Sequence, residues 1–144
     1  MTQPDETYEG GCLCGAVRFA ASPPSRFCAH CHCDNCRRAH GAAFVTWVGF
    51  PRGQFRITQG SNVLAEYLTD TGAKRSFCGR CGSTLTYASL RWEGEVHVAR
   101  AAIDGPIDRA PGGHVYVDHH ADWWSIEDDL PRYGGKTGME PKDG

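Results

Sequence analysis

The sequence predicts a small, mainly β domain of short antiparallel strands, with one or two short helical turns and two metal sites that hold the strands together. Three observations predict this fold. The chain has 144 residues, which suits one domain, and it contains 18 glycines and 8 prolines between short apolar runs. Such runs are typical of brief strands joined by turns. Seven of the 8 cysteines form three close groups with spacings that suit zinc, at residues 12–14, 31–36 and 78–81.

Strand-like segments follow one another along the chain. Residues 16–20 alternate as a strand that leaves the first cysteine group, and residues 44–50 are rich in β-branched and aromatic side chains before Pro51 ends the run. The same reasoning predicts further strands at residues 55–59, 64–68, 74–77, 84–87 and 96–101.

Helical signals are few and short. Asp34 can cap a helix over residues 35–40, and Gly41 can end it in the left-handed conformation. A second helical turn is predicted at residues 121–129, before Pro131.

Composition predicts one domain with an extension at each end. We expect an N-terminal extension at residues 1–7, a zinc-binding domain at residues 8–133 and a disordered, largely non-apolar tail at residues 134–144. The formal net charge of −2 and the pI near 6.4 argue against a nucleic-acid partner. The polar start and the short apolar runs argue against a signal peptide and a membrane span. We therefore expect a cytoplasmic protein, whose cysteines stay reduced and bind metal.

Two separated cysteine pairs predict one closed metal site. Cys12 and Cys14 lie between glycines, and Cys78 and Cys81 form a zinc knuckle in which glycines let backbone amides reach the thiolates. Either pair alone could be a glycine-rich turn with buried thiols. Both together favour a four-cysteine zinc site that joins the first hairpin to a later one.

The middle group offers three cysteines. Cys31, Cys33 and Cys36 lie at the start of the predicted helix, where amide groups favour thiolates. Three thiolates on zinc leave one coordination position open, which can take a thiol and lower its pKa or polarise a carbonyl group.

Other residues could close this position. Cys28 forms a C-x-x-C pair with Cys31 and could supply a fourth sulfur, and His30 or His32 could also act as the fourth ligand. A redox role for the Cys28 and Cys31 pair is a further alternative, which metal content would separate from a three-thiolate site.

Three ordered motifs carry a resemblance to a known family. They are Gly-x-Cys-Leu-Cys-Gly-Ala-Val-Arg-Phe at residues 10–19, Cys-His-Cys-x-x-Cys-Arg-Arg at residues 31–38 and Phe-Cys-x-x-Cys-Gly at residues 77–82. In these motifs the chain resembles the glutathione-dependent formaldehyde-activating enzyme family, which also includes centromere protein V. The resemblance extends over residues 8–133.

The resemblance implies a mostly β fold with two Zn²⁺ ions per chain and carbon–sulfur lyase chemistry. That chemistry interconverts formaldehyde plus glutathione with S-hydroxymethylglutathione, so the implied partners are a small thiol and an aldehyde. A zinc-stabilised interaction module without catalytic activity is the alternative. The implied ligands are Cys12, Cys14, Cys78 and Cys81 for a structural zinc and Cys31, Cys33 and Cys36 for a second, open zinc.

Residues outside the cysteine groups are further candidates for the reaction. A general acid must protonate the developing alkoxide, and His114, or one of His119 and His120, can supply that proton. Arg37 is a candidate partner for a substrate carboxylate, with a solvated helix face as the alternative. Trp123 is adjacent to another tryptophan, and since neighbours on a regular element face opposite ways, we expect one of the two to border a cleft.

Overall fold

The strands of the chain pair into two β-sheets. The computed structural model describes residues 7–142, and within them twelve strands and one α-helix are present. In chain order these are β1 (Tyr8–Gly11), β2 (Arg18–Ala21), β3 (Phe27–Cys31), α1 (Asp34–His40), β4 (Val45–Pro51), β5 (Phe55–Gln59), β6 (Leu64–Leu68), β7 (Ala73–Cys78), β8 (Thr84–Ser89), β9 (Glu95–Ala99), β10 (His114–Val115), β11 (Arg132–Gly134) and β12 (Glu140–Lys142).

The larger sheet has nine strands and the smaller has three. The order is β12-β11-β10-β3-β4-β9-β8-β7-β6 in the first and β1-β2-β5 in the second. Pairing is antiparallel except at β10, which runs parallel to both β3 and β11. The mainly β fold that the sequence predicts is therefore confirmed, and β5 and β6 occupy the predicted residues.

The main core lies between the two sheets. Alternate residues of β4 and β9, such as Val48, Phe50 and Val98, are fully buried in one cluster with Val17 and Phe19 from the smaller sheet's side. Because side chains alternate across a strand, the intervening residues of the same strands project to the opposite face of the large sheet. That opposite face forms a cleft, described below.

The helix α1 begins one residue earlier than the sequence suggests. The cap is the Cys33 side chain, whose sulfur accepts a hydrogen bond from the Cys36 backbone N–H, and Asp34 is already the first helical residue. Gly41 ends the helix in the left-handed conformation with φ of 60°, as predicted. A thiolate can replace the usual oxygen cap because it too accepts from a free backbone N–H.

The prediction of a helical turn over residues 121–129 is wrong, because this segment contains no helix. It contains one non-helical turn, closed by a 3.3 Å hydrogen bond from the Trp124 N–H to the Ala121 carbonyl. The rest of this segment is irregular, and side-chain hydrogen bonds to its backbone hold it in place. Asp128 accepts from the Leu130 N–H, and the Arg132 guanidinium donates to the Ile126 carbonyl. These contacts compete with helical hydrogen bonds.

The described part of the predicted disordered tail is ordered. Strand β12 pairs with β11, and Asp118 accepts a 2.8 Å hydrogen bond from the Gly135 N–H and forms a 3.2 Å ion pair with Lys142. Strand pairing, a hydrogen bond and an ion pair hold this segment in place. Its composition alone does not predict order, because it contains few apolar residues. The structure therefore extends the sheet beyond the predicted domain limit at residue 133.

The predicted extension at residues 1–7 lies outside the described part of the chain, except for residue 7, and so do residues 143–144. Among the helices found within residues 7–142, none is long and apolar enough to span a bilayer.

Candidate metal centres and active-site cleft

Four cysteines from two distant turns meet at one end of the molecule. The sulfur atoms of Cys12, Cys14, Cys78 and Cys81 all lie within 4.8 Å of one another. The Sγ atoms are 3.7 Å apart between Cys12 and Cys14, and 3.8 Å apart between Cys14 and Cys78. A tetrahedral metal with metal–sulfur bonds of about 2.3 Å places its sulfurs about 3.8 Å apart, so this group fits a closed metal site.

Backbone amides surround these sulfurs. The Val17 N–H donates to Cys12 Sγ over 3.2 Å, and the Arg80 N–H donates to Cys78 Sγ over 3.3 Å. Glycines make both turns, with Gly15 and Gly82 at φ of 81° and 80°, where a side chain would be strained. The hydrogen bonds offset the negative charge that thiolates bring to such a site.

The second group lies where β3 passes into α1. Cys31 ends the strand, Cys33 caps the helix, and Cys36 lies in its first turn. Their three sulfur atoms also lie within 4.8 Å of one another, with 3.6 Å between the Sγ atoms of Cys31 and Cys36. This spacing again matches ligands of a tetrahedral metal, but within residues 7–142 the group has only three of them.

Two donors from other strands point at Cys36. The Trp47 indole N–H donates to its sulfur over 3.4 Å, and an Arg75 guanidinium N–H donates over 3.6 Å. Hydrogen bonds from Cys31 and Cys33, the nearby Arg75 charge and the Trp47 N–H hold the pKa of the Cys36 thiol far below its usual range, against the effect of burial. The site therefore stabilises at least one thiolate before any metal is considered.

The candidate fourth ligands do not join this group. Cys28 lies three positions before Cys31 on β3, so its side chain lies on the opposite face, in the main core with Val48. His30 also faces away and bonds Thr46 Oγ1 over 2.8 Å. Among the described residues, the metal-spaced group around Cys31 contains three cysteines and no histidine. The same separation argues against a Cys28 and Cys31 redox pair.

His114 lies on the wrong face for the predicted proton transfer. On β10 it pairs with His30, whereas Val115 pairs with Cys31, so the His114 side chain is on the side away from the three cysteines. It is fully buried, with Nδ1 2.8 Å from His32 Nε2 and Nε2 3.0 Å from the Asp128 carboxylate. It belongs to a buried polar chain that anchors the irregular 121–130 segment.

Arg37 and Trp123 are also outside the cleft. The Arg37 guanidinium donates to the His119 carbonyl over 3.0 Å and forms a 3.3 Å ion pair with Asp34, so it ties α1 to a neighbouring loop. Trp123 is 66% exposed and does not line the cleft. Its neighbour Trp124 stacks near His32 on the far face. His119 and His120 likewise do not line the cleft.

A large cleft opens on the face that carries the three cysteines. Its volume is about 1070 Å³, and Cys31, Cys33 and Cys36 lie in its wall. The floor is built from alternate residues of neighbouring strands, so the period of the strands decides which side chains reach it. Floor residues are Phe27, Trp47, Arg75, Tyr87, Glu95 and His97.

Arg75 and His97 are functional candidates that the sequence motifs do not indicate. The Arg75 guanidinium lies 4.9 Å from the Tyr87 ring centre, and its Nη1 is buried without a partner. His97 Nε2 lies 3.0 Å from Glu95 Oε1. Burial lowers the pKa of His97, against the opposing effect of Glu95, so the imidazole is mainly neutral near pH 7. The sequence signal for His97 was its place in the strand predicted at residues 96–101. Glu95 lies one residue before that predicted strand and on the same face as His97 in the structure.

Comparison with known proteins fits this arrangement. The family model described as glutathione-dependent formaldehyde-activating enzyme matches residues 7–119, which include all seven clustered cysteines. The chain belongs to this family.

Individual proteins are similar to this member of the glutathione-dependent formaldehyde-activating enzyme family over different lengths. A Halomonas elongata protein that carries the family's name is 32% identical over 127 residues, which cover 83% of this chain and 80% of that protein. An uncharacterised lyase of Schizosaccharomyces pombe is 34% identical over 86 residues, or 56% of this chain and 57% of the lyase. A crystal structure of a Rhodobacter sphaeroides protein matches with a TM-score of 0.60 at 28% identity, covering 68% of this chain and 89% of that one.

Proposed function

We propose that this protein is a zinc-dependent enzyme of the carbon–sulfur lyase type. It forms or cleaves the adduct of a glutathione-type thiol with a small aldehyde, as in S-hydroxymethylglutathione. One observation carries the proposal: three cysteine sulfurs with tetrahedral spacing face a cleft, and no fourth ligand atom of the described chain accompanies them. Family membership and relatives named as a formaldehyde-activating enzyme and a lyase support it.

The two cysteine groups receive different roles in this proposal. The four-cysteine group would hold a structural Zn²⁺, and Cys31, Cys33 and Cys36 would hold a second Zn²⁺. Sulfur donors at these spacings suit zinc, which accepts thiolates in tetrahedral geometry. When bound at the cleft, the ion supplies positive charge that lowers the pKa of a substrate thiol.

The chain's own residues position the reactants. The thiolate sulfur forms a bond to the aldehyde carbon, the carbonyl π bond breaks, and the proton lost by the thiol ends on the oxygen. The unpartnered Arg75 Nη1 lies on the cysteine side of the cleft and can donate a hydrogen bond to that oxygen as its charge develops. The Tyr87 ring fixes the guanidinium plane beneath it.

His97 replaces His114 as the proposed proton carrier. Its imidazole lines the cleft, is neutral near pH 7, and bonds an ionised carboxylate at Glu95. Burial alone would raise the pKa of Glu95. The hydrogen bonds from His97 and Arg26 outweigh this effect and lower the pKa below its usual range, so the carboxylate stays charged. A neutral imidazole oriented by a carboxylate can accept and return a proton.

The proposal includes the cellular setting. We propose that the protein acts in the cytoplasm, because its eight cysteines suit metal binding in a reducing compartment, where glutathione-type thiols are also abundant.

The test is native mass spectrometry of the freshly reduced protein with glutathione and, as a matched control, S-methylglutathione. We expect two zinc ions per chain and retention of glutathione but not of the methylated compound, because only a free thiol can become a thiolate. Formaldehyde and glutathione should then form the adduct faster with the protein than without it, as followed by NMR. Two zinc ions with no thiol uptake and no rate increase would contradict the enzyme and favour an interaction module.

A further inference from the structure

The cleft is much larger than formaldehyde requires. Its volume is about 1070 Å³, whereas pockets of about 300–1,000 Å³ enclose whole drug-sized ligands. Formaldehyde has only two non-hydrogen atoms. A glutathione-type thiol fills part of the remaining space, and the composition of the rest indicates what else can bind there.

The floor beyond the cysteines is aromatic and closely packed. The His97 ring makes an edge-on contact with Phe27 at 4.8 Å between centroids and lies 5.7 Å from Tyr87 and 6.0 Å from Trp92. Gly49 permits this packing, since a Cβ there would fall 2.1 Å from the Phe27 ring. Each of the three rings contacts the imidazole, so Phe27, Tyr87 and Trp92 form an apolar platform around His97.

Of the charged side chains other than Arg75 that line the cleft, Asp70 is exposed to solvent, and those of Glu95 and Arg109 are already bonded within the protein. Glu95 bonds both His97 and Arg26 at 3.0 Å. The Arg109 side chain donates to the hydroxyl and the carbonyl of Ser25. Among the buried polar atoms without a partner in residues 7–142, only Arg75 Nη1 belongs to the cleft lining, and it lies at the cysteine end. Away from that end, the floor therefore favours an uncharged group.

The mouth of the cleft exposes apolar side chains on two sides. Tyr67 and Leu68 from β6 are 62% and 68% exposed, and Met139 from the C-terminal turn is 42% exposed. All three line the cleft. A bound apolar group that reached the mouth would remove this surface from water, which favours binding in proportion to the area covered.

From these features we propose that the cleft takes an aldehyde with an aromatic or extended alkyl substituent in preference to formaldehyde. The aldehyde carbon lies at the cysteine end, and its substituent lies on the platform formed by Phe27, Tyr87 and Trp92. This inference rests on the proposed function. The chemistry is unchanged: the C–S bond forms, the C=O bond becomes a single bond, and the thiol proton ends on the oxygen.

Binding of two simple thiols tests the platform without relying on turnover. Isothermal titration of the zinc-loaded protein compares 2-phenylethanethiol with ethanethiol, which differ by the phenyl group. We expect the aromatic thiol to bind at least about tenfold more tightly, because the phenyl ring leaves water for the platform. The second arm compares catalysed adduct formation from phenylacetaldehyde and formaldehyde with glutathione, and we expect the larger kcat/KM for phenylacetaldehyde.

Two variants locate the effect. Trp92→Ala removes a half-buried part of the platform, and Leu68→Ser changes an exposed residue of the mouth, so folding should survive the second change in any case. The aromatic preference is the ratio of the dissociation constant of ethanethiol to that of 2-phenylethanethiol. We expect this ratio to fall below about threefold in Trp92→Ala and to about half its original value in Leu68→Ser. Leu90→Ser is the matched control, because Leu90 is 75% exposed and does not line the cleft.

The outcomes separate this inference from the proposed function. Equal binding of the two thiols, or an aromatic preference that both variants leave unchanged, would overturn the inference while glutathione uptake still supported the enzyme. Failure of glutathione and both test thiols to bind would instead overturn the proposed function.

Discussion

The two cysteine groups contain the same donor atoms but lie in different structural surroundings. The four-cysteine group joins two glycine-rich turns, and its sulfurs accept hydrogen bonds from the backbone around them. The three-cysteine group lies between a strand and a helix, and it also accepts hydrogen bonds from the side chains of Trp47 and Arg75 on other strands. Turns close one group with protein ligands, whereas a strand end and a helix start leave the other facing a cavity. The two groups therefore differ in their secondary structure and surroundings, although both offer the same thiol donors.

The largest expected effect comes from breaking the closed group. Cys78→Ser should lower the free energy of unfolding by at least about 3 kcal/mol, or prevent folding, because metal binding at such sites contributes directly to folding. Circular dichroism and urea unfolding measure this loss. The matched control is Cys28→Ser, another buried cysteine outside both metal groups, with an expected cost of about 1–2 kcal/mol. Similar losses in both variants would contradict the structural role of the first group.

Breaking the open group should leave the fold intact. In Cys33→Ser the serine oxygen can still accept the Cys36 N–H and cap α1, as cysteine does. We expect the metal content to fall from two ions to one, affinity for glutathione to fall at least about tenfold, and the far-UV circular dichroism to stay unchanged. Native mass spectrometry measures the first two changes. Loss of both ions would show that the groups do not act as separate sites.

Arg75→Gln tests the role of the guanidinium beside the three-cysteine group. The substitution removes the guanidinium that contacts Cys36 and the free Nη1 that can bond the developing oxygen. We expect kcat/KM for adduct formation to fall about 100-fold, the usual scale for one such donor, while the protein keeps two metal ions. Arg56→Gln, on the exposed surface of β5, should leave kcat/KM unchanged. If kcat/KM fell less in Arg75→Gln than in Arg56→Gln, Arg75 would have no role in the mechanism.

The smallest catalytic effect is expected at His114. Because its side chain lies on the far face, His114→Ala should change kcat less than about threefold, and it should lower the free energy of unfolding by about 2–4 kcal/mol through a cavity and a lost partner for His32. Kinetics below the unfolding transition and urea denaturation give the two values. A large fall in kcat with unchanged stability would restore His114 as the proton donor.

The sequence was sufficient to group the cysteines but not to select the residues around them. The C-x-C and C-x-x-C spacings bring sulfurs together within a single turn, so their grouping depends little on the global fold. Arg37 was selected because it follows Cys36 directly, whereas the guanidinium that reaches this sulfur comes from a residue 39 positions away, on β7. Such a contact depends on strand order, which local patterns do not encode.

His114 and the tail show the same limit. The face of a two-residue strand follows from its register with β3, and a parallel partner 84 residues away in sequence sets that register. Disorder after residue 133 is predicted because the segment contains few apolar side chains. Strand pairing and the Asp118 contacts nevertheless hold residues 134–142, and neither can be inferred from composition. The predicted strands at residues 55–59 and 64–68 succeeded because alternation is a local property.

Strand β7 carries Arg75, which contacts the open group, and Cys78, which belongs to the closed group. Three residues of extended chain span about 10 Å, so occupancy of one site fixes a strand that shapes the other. This connection predicts thermodynamic linkage between the two metals. When zinc is titrated into the reduced, metal-free protein, the closed group should fill first and raise the zinc affinity of the open group. By reciprocity, a thiol bound in the cleft should slow the loss of zinc from the distant turns to a chelator.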